Sequence, residues 1–207
     1  MKVFVENVLT KNIKNTKKNL RKENKDMHNE KTVQQAKKLM LYFLNENTKR
    51  KNHTLRVVEN LKELLVEKGL QDTEVYYLLL EAGYLHDIGY SSKLNKENFH
   101  PYDGFIYLQE QNYSDAVNYL FLHHTYSKLL YNMSNKNTVL DIIYQKNPIQ
   151  SNYETLLSCL SLADMTSSPT GEKITLNERV EDIAFRYGND SPITKHAYIV
   201  KSKLENM

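Results

Sequence analysis

The stretch GYLHDIGY, residues 83–90, decides how the rest of the chain is read. It closes an apolar run from Val75 to Leu85 and sets an imidazole beside a carboxylate, His86 and Asp87. A surface helix turns its apolar side chains inward and leaves its charges to water. A helix that is apolar along its length and ends in two titratable groups carries them towards the interior. Burial is unfavourable for such groups unless something compensates them.

The segments on either side have the same helical character. Ala36, Leu39, Met40 and Phe43 form one apolar stripe, and Leu55, Val58, Leu61, Leu64 and Leu65 form another, ended by Gly69 in the position of a left-handed cap. Asp72 is placed to cap the run leading to His86. Ser114 or Asp115 begins a helix reaching His124, and Ser151 or Asn152 one reaching Asp164. Thr175 and Glu178 have the spacing of a capping box on a helix that Gly188 closes, and Ser191-Pro192 starts the next. No stretch alternates strictly between apolar and polar, and no internal repeat is present. The fold class expected is all-α.

Composition narrows the setting. With 207 residues, 40% of them hydrophobic, the chain can bury one substantial core. Its single cysteine, Cys159, excludes an internal disulfide framework, and no apolar stretch is long enough to span a bilayer. The opening MKVFVENVLT is interrupted by Glu6, unlike a signal peptide, so a cytoplasmic protein is expected. Residues 1–51 hold 14 Lys/Arg against 5 Asp/Glu, whereas residues 52–207 hold 14 against 20. Most of that basic excess lies in KNIKNTKKNLRKENK, residues 11–25, which has little to bury. The expected organisation is a basic extension over residues 1–31 followed by a single domain over 32–207. Nucleic-acid binding by the extension is the less favoured reading, because no aromatic residue interleaves its lysines.

Five of the seven histidines fall between positions 53 and 124, each at the start or end of an expected helix. His53 opens one, His86 and Asp87 end the next, His100 begins another, and His123 and His124 end the following one. Asp164 ends a later apolar helix. Helix ends of different segments can converge within a bundle, and imidazoles and carboxylates gathered there call for a cation. His28 and His196 have no such company and read as ordinary structural histidines.

The ordered set His53, His86-Asp87 and Asp164 resembles the HD-domain superfamily of metal-dependent phosphohydrolases, in which these positions are metal ligands on a helical bundle. The resemblance covers about Thr32 to Gly188. The phrases HDIGY, FHPYDGFIYLQ, HHT and LADMTSSPTG are similar to those of small stand-alone bacterial HD proteins. His100 in H-P-x-x-G, with the pair His123 and His124, resembles motifs of the HD-GYP phosphodiesterases that help bind a second ion. Tyr90 stands where those enzymes carry lysine, Thr125 where they carry glutamate, and no G-Y-P follows. These three departures argue against a cyclic dinucleotide substrate.

The resemblance implies one or two divalent transition-metal ions held by His53, His86, Asp87, His100, His123 or His124, and Asp164. Asp87 is the expected bridging or water-orienting carboxylate. Imidazole and carboxylate ligands without thiolate suit Mn, Fe, Co, Ni or Zn. The implied substrate is a small phosphate ester, a nucleotide first among them, with Arg56, Lys93 and Arg186 as candidate phosphate-binding cations. Two alternatives remain. HD-type diiron oxygenases use a similar ligand set, and a non-catalytic HD module would bind a nucleotide or nucleic acid.

Overall fold

The computed structural model describes residues 28–94, 96–133 and 138–206. The basic segment 11–25, and the expectation attached to it, lie outside these residues. Among the described residues the protein is all-helical, with one isolated β-bridge between Ser167 and Lys173 and no strand.

Helix α1 (Glu30–Leu44) is started by Asn29, whose side chain accepts from the amides of Lys31 and Thr32. It buries Val33, Ala36, Met40, Phe43 and Leu44, the stripe anticipated from sequence with Leu39 left only partly covered. Helix α2 (Thr48–Glu67) follows, and the chain leaves it through Gly69 at φ 64°, the left-handed conformation that glycine adopts without strain. Helix α3 (Glu74–Leu85) carries the run that ends at His86. Its cap is Thr73, whose hydroxyl accepts from the Tyr76 amide. Asp72, the residue expected there, instead takes φ 59° and accepts a hydrogen bond from the Tyr77 hydroxyl. The turn between α2 and α3 needs one left-handed residue more than Gly69, and aspartate tolerates that conformation.

Helix α3 is buried nearly all round, from Leu78 to Leu85, and packs against α1, α2, α5 (Asp115–His123) and α8 (Glu154–Met165). It is the axis of the bundle. Each leucine it removes from water contributes about 1.5–3 kcal/mol. After α3 the chain makes a 3₁₀ turn, Ile88–Tyr90, and re-enters helix at α4 (His100–Glu110). Between α5 and α8 lie a second 3₁₀ turn, His124–Tyr126, then α6 (Ser127–Met133) and α7 (Thr138–Lys146). The helix expected from Ser151 begins with a 3₁₀ turn, so α8 itself starts at Glu154. Helices α9 (Leu176–Tyr187) and α10 (Pro192–Glu205) pack on each other. Their starts match the sequence: the Thr175–Glu178 capping box is formed, and Ser191 caps α10 ahead of Pro192.

His28 has the company that its sequence neighbourhood lacks. Its ring bridges the buried Glu81 carboxylate of α3, at 2.8 Å, and the Ser114 hydroxyl that caps α5, at 3.3 Å. It therefore ties the segment entering α1 to two other helices.

Gly89 sets the distance between the 3₁₀ turn and α4. A Cβ placed on it would stand 2.0 Å from the His100 carbonyl oxygen and 2.9 Å from the Gly104 amide nitrogen. Both are backbone atoms and cannot swing away. Only a glycine lets the turn carrying Asp87 lie directly against the first turn of α4. Gly89→Ala is expected to destabilise the protein by about 1–3 kcal/mol, the usual range for overpacking. Urea unfolding of the variant against wild type measures this, and an unchanged midpoint would show that the α4 junction yields.

Candidate metal centre

Two triads of side chains meet at the end of α3. His53, His86 and Asp164 each offer one ligand atom within a common 4.8 Å, and Asp87, His100 and His124 do the same. All except His100 are buried, and His100 is half-buried. The Asp87 carboxylate lies between the triads. Its Oδ2 is 3.5 Å from His86 Nε2 and 3.8 Å from His53 Nε2, while its Oδ1 is 3.6 Å from His100 Nε2. Within the triads, His53 Nε2 is 2.9 Å from Asp164 Oδ1, and His100 Nε2 is 3.0 Å from His124 Nε2.

The backbone fixes which nitrogen of three rings is free. His53 Nδ1 faces the Ser168 carbonyl at 3.1 Å, His86 Nδ1 the Gly83 carbonyl at 2.8 Å, and His124 Nδ1 the Phe121 carbonyl. A carbonyl only accepts, so each Nδ1 carries the proton and each neutral ring turns its Nε2 lone pair to the centre. His86 Nε2 is then a buried acceptor with no hydrogen-bond partner among the described residues, and it faces a carboxylate oxygen. Lone pair against anion is repulsive, and a cation between them removes the repulsion. The donor set, nitrogen and carboxylate oxygen without sulfur, fits a divalent transition metal.

Side chains behind the ligands hold these positions. Helix α2 presents Arg50, His53, Arg56 and Asn60 at spacings of three, three and four, so they share one face. The Asn60 amide donates to the Thr166 carbonyl at 3.1 Å and to the Ser167 hydroxyl at 3.0 Å, which fixes the end of α8 just after Asp164. Arg56 Nε donates to the Gly171 carbonyl at 2.9 Å. The TSSPTG loop is thus a clasp that α2 grips through Asn60 and the Arg56 Nε. On the other side, the buried Asp103 carboxylate accepts from the amides of Lys96, Glu97 and Phe99 and orders the approach to His100.

His123 and His124 are adjacent, yet only His124 reaches the centre. The chain reverses immediately after them, with Thr125 at φ 47° and Tyr126 at φ 53°. Two non-glycine residues in the left-handed region store of order 1–3 kcal/mol each, a strain that concentrates at functional sites. The Thr125 amide is held by the Ser161 hydroxyl of α8 at 3.0 Å. His123 turns the other way, with Nε2 2.9 Å from the Asn147 carbonyl and its ring against Tyr119 and Tyr144. It lies outside both triads.

A cavity of about 520 Å³ opens on the centre. Asp87, His100, His124 and Asp164 line it, together with Arg50, Arg179 and Arg186. Arg50 Nη1 donates to Asp87 Oδ2 at 3.0 Å, and its guanidinium lies 3.8 Å over the Tyr90 ring, which stacks on His100. Of the three cations proposed from sequence, only Arg186 lines this cavity. Lys93 sits 4.0 Å over the Tyr42 ring, at a different depression of the surface. Arg50 and Arg179 were not singled out from sequence, although Arg50 lies one turn before His53.

The family model described as HD domain matches residues 50–184, well over half of the chain. The chain belongs to the HD-domain family. Comparison with curated proteins and with solved structures found no match. In this HD domain the matched span includes every residue of both triads. No helix among the described residues is long and apolar enough to cross a membrane.

The electrostatics of the ion-free centre give a pH dependence. Burial alone would raise the Asp87 carboxyl, but His86, Arg50, His53 and His100 outweigh it and hold the group well below the usual carboxylate range. Burial likewise opposes ionisation of Asp164; in the ion-free protein a proton on His53 Nε2 takes the place of the cation, and the hydrogen bond and charge it supplies overcome that burial. Burial lowers His100 and His124 below the ordinary value of 6.5, and pushes His123 down to about 4. For each histidine the unfolded chain takes up its proton first, so stability is lost as pH falls below 6.5. For the two aspartates the contribution is full above 3.8 and is lost as pH falls towards their lower folded values. Chelator-treated protein is therefore expected to show a falling urea midpoint from pH 7 to pH 5 and a further fall below pH 4. A midpoint that is flat from pH 7 to pH 5 would contradict the burial of neutral imidazoles.

Proposed function

We propose that this HD protein is a metal-dependent phosphohydrolase that cleaves a nucleotide or another small phosphate ester. The observation that carries the reading is the Asp87 carboxylate, which offers one oxygen to each triad at the floor of an arginine-lined cavity. His53, His86 and Asp164 would hold one divalent ion, and His100 and His124 a second, with Asp87 shared between them. Ions bound there would lower the pKa of water to near neutrality and polarise a phosphoryl oxygen.

The chain's own groups have definable parts in this chemistry. Asp87 stays ionised, so its oxygens can accept a hydrogen bond from an attacking water and orient it. Arg50 fixes that carboxylate through Oδ2 and, stacked on Tyr90, presents the rest of its guanidinium to the cavity. The stack of Tyr90 on His100, with rings 3.9 Å apart, restrains the His100 imidazole. Arg186, paired with Asp182, lines the cavity wall beside Arg179. Phe99, Leu130, Met165 and Ile183 line the same space and limit water.

The cationic lining supports a phosphate ester over an uncharged organic substrate, and on that ground hydrolysis is preferred to diiron oxygen chemistry. The intact ligand set speaks against a module that only binds. A panel of nucleotides, sugar phosphates and generic phosphate esters, assayed with Mn, Co, Fe, Ni and Zn, tests the reading. Dioxygen consumption by iron-loaded protein without phosphate release would replace it with the oxygenase.

Two sets of variants probe the assignments. Asp87→Ala should lower turnover by at least about 10²-fold, the range for loss of a positioned proton acceptor, while the helical circular dichroism is kept. Lys93→Ala, away from the cavity, should leave turnover unchanged. His100→Ala should reduce bound metal from about two ions to about one, as expected for a two-ion site. His123→Ala should not change metal content. One ion per chain in the wild type, unaffected by His100→Ala, would reduce the centre to a single site.

A further inference from the structure

The cavity wall formed by α9 and α10 holds a cation that no carboxylate among the described residues reaches within hydrogen-bond distance. Arg186 is satisfied by Asp182, with Nη2 2.6 Å and Nε 3.1 Å from its carboxylate oxygens. Arg50 is satisfied by Asp87. The carboxylate oxygen nearest Arg179 is Asp182 Oδ2, 3.6 Å from Nη1, beyond hydrogen-bond distance and already engaged by Arg186. Its Nε and Nη1 are buried without a hydrogen-bond partner among the described residues. The residue is 7% exposed and lines the cavity.

Such a placement is unfavourable in the ligand-free protein. Arg179 occupies the buried face of α9 with Val180 and Ile183, where an apolar side chain of similar length would suffice for packing. Its guanidinium presents planar donors that match the oxygens of a phosphate. On the neighbouring helix α10, His196 is 8% exposed, lines the same cavity, and has a buried Nε2 that also lacks a partner. Burial lowers its pKa, against backbone hydrogen bonds at Tyr126 and Thr125 that raise it, so the ring is neutral at pH 7. Both side chains feel the charge of Asp164. Two unpartnered polar groups from two helices therefore border one cavity beside the metal triads.

We propose that Arg179, with His196, forms an oxyanion subsite that binds a phosphate group of the substrate through the Arg179 guanidinium. The proposal rests on the phosphohydrolase reading for its substrate, but its test is binding and not turnover. In this subsite Arg179 donates to phosphate oxygens, and His196 Nε2 faces a hydroxyl, either a protonated phosphate oxygen or a neighbouring alcohol. Substrate selection would then reside on α9 and α10, apart from the ligands of the centre.

Inorganic phosphate is the probe, titrated by calorimetry and thermal unfolding into wild type, Arg179→Met, Arg179→Lys and the Lys93→Ala control. Wild type and Lys93→Ala should be stabilised saturably. Arg179→Met should bind phosphate about tenfold more weakly or worse, as for loss of charge-assisted hydrogen bonds. Without phosphate it should melt no lower than wild type, because an uncompensated buried charge has gone. The difference should persist after chelator treatment, when phosphate has no metal to bind. Should Arg179→Met fail to fold, Arg179→Lys decides, since it keeps the charge but loses the planar donor pair and should bind more weakly than wild type. Absence of phosphate binding by the wild type, or equal binding by the folded Arg179 variants, overturns the subsite. Phosphate binding through Arg179 in a protein that turns over no ester supports the subsite and removes the hydrolase. Turnover with unchanged phosphate affinity in the variants does the reverse.

Discussion

The Asp87 carboxylate is the constraint around which this structure is arranged. Two oxygens on one short side chain face two sets of imidazoles, so the four chain segments that supply those imidazoles must arrive at one point within a few ångströms. The long apolar helix α3 carries Asp87 inward, and Arg50 holds one of its oxygens. Gly89 then permits α4 to lie against the turn that follows, and His100 comes within 3.6 Å of the other oxygen. The left-handed pair after His124 brings in the last ring. Each of these local features makes sense as a condition on where Asp87 can be reached.

Such a centre is held mainly from behind. The backbone carbonyls of Gly83, Phe121 and Ser168 choose the tautomers, and two of the three belong to the helices that carry the rings. A helix C-terminus leaves its last carbonyls without intrahelical partners. An imidazole at that position can cover one of them and still project its second nitrogen forward. This explains the placing of His86 and His124: the end of a helix supplies both the exit from the apolar core and the acceptor that orients the ring. His53, expected to open a helix, lies in the second turn of α2 and takes its acceptor from the loop at Ser168.

The parts of the fold legible in the sequence were those governed by local rules. The α1 stripe, Gly69, the Thr175–Glu178 box and Ser191-Pro192 are each written within a few neighbouring residues, and each was found where expected. The ligand candidates were legible because histidine and aspartate at the end of an apolar run conflict with helix patterning. The cap of α3 falls on Thr73, one residue after Asp72, since two good capping residues stand side by side, and α8 starts later than Ser151 because a 3₁₀ turn precedes it. His123 could not be told from His124, because the distinction depends on a chain reversal stabilised by Ser161, 36 residues away. Arg56 and Lys93 stand near the motifs along the chain, which says nothing of what they touch. Their partners, Gly171 and Tyr42, are set by tertiary packing. Arg50, Asn60 and Asp103 do leave a signal, at helical spacing from His53 and His100, and Arg179 leaves one as a cation in an otherwise apolar helical stripe.

The separation between the triads and the α9–α10 wall has an evolutionary consequence. The ligands sit in or beside α2, α3, α4, α5 and α8, where a change in one position disturbs several buried neighbours at once. The outer wall is a hairpin of two helices that pack on each other, with α10 also resting on α6 and α8. Tyr187 and Ile193 line the cavity from exposed positions, so substitutions there can accumulate one at a time while the inner set is kept. A lineage carrying this scaffold can exchange one small molecule for another by redrafting a single helical hairpin. The inner side chains would then look nearly alike in proteins whose natural targets have little in common.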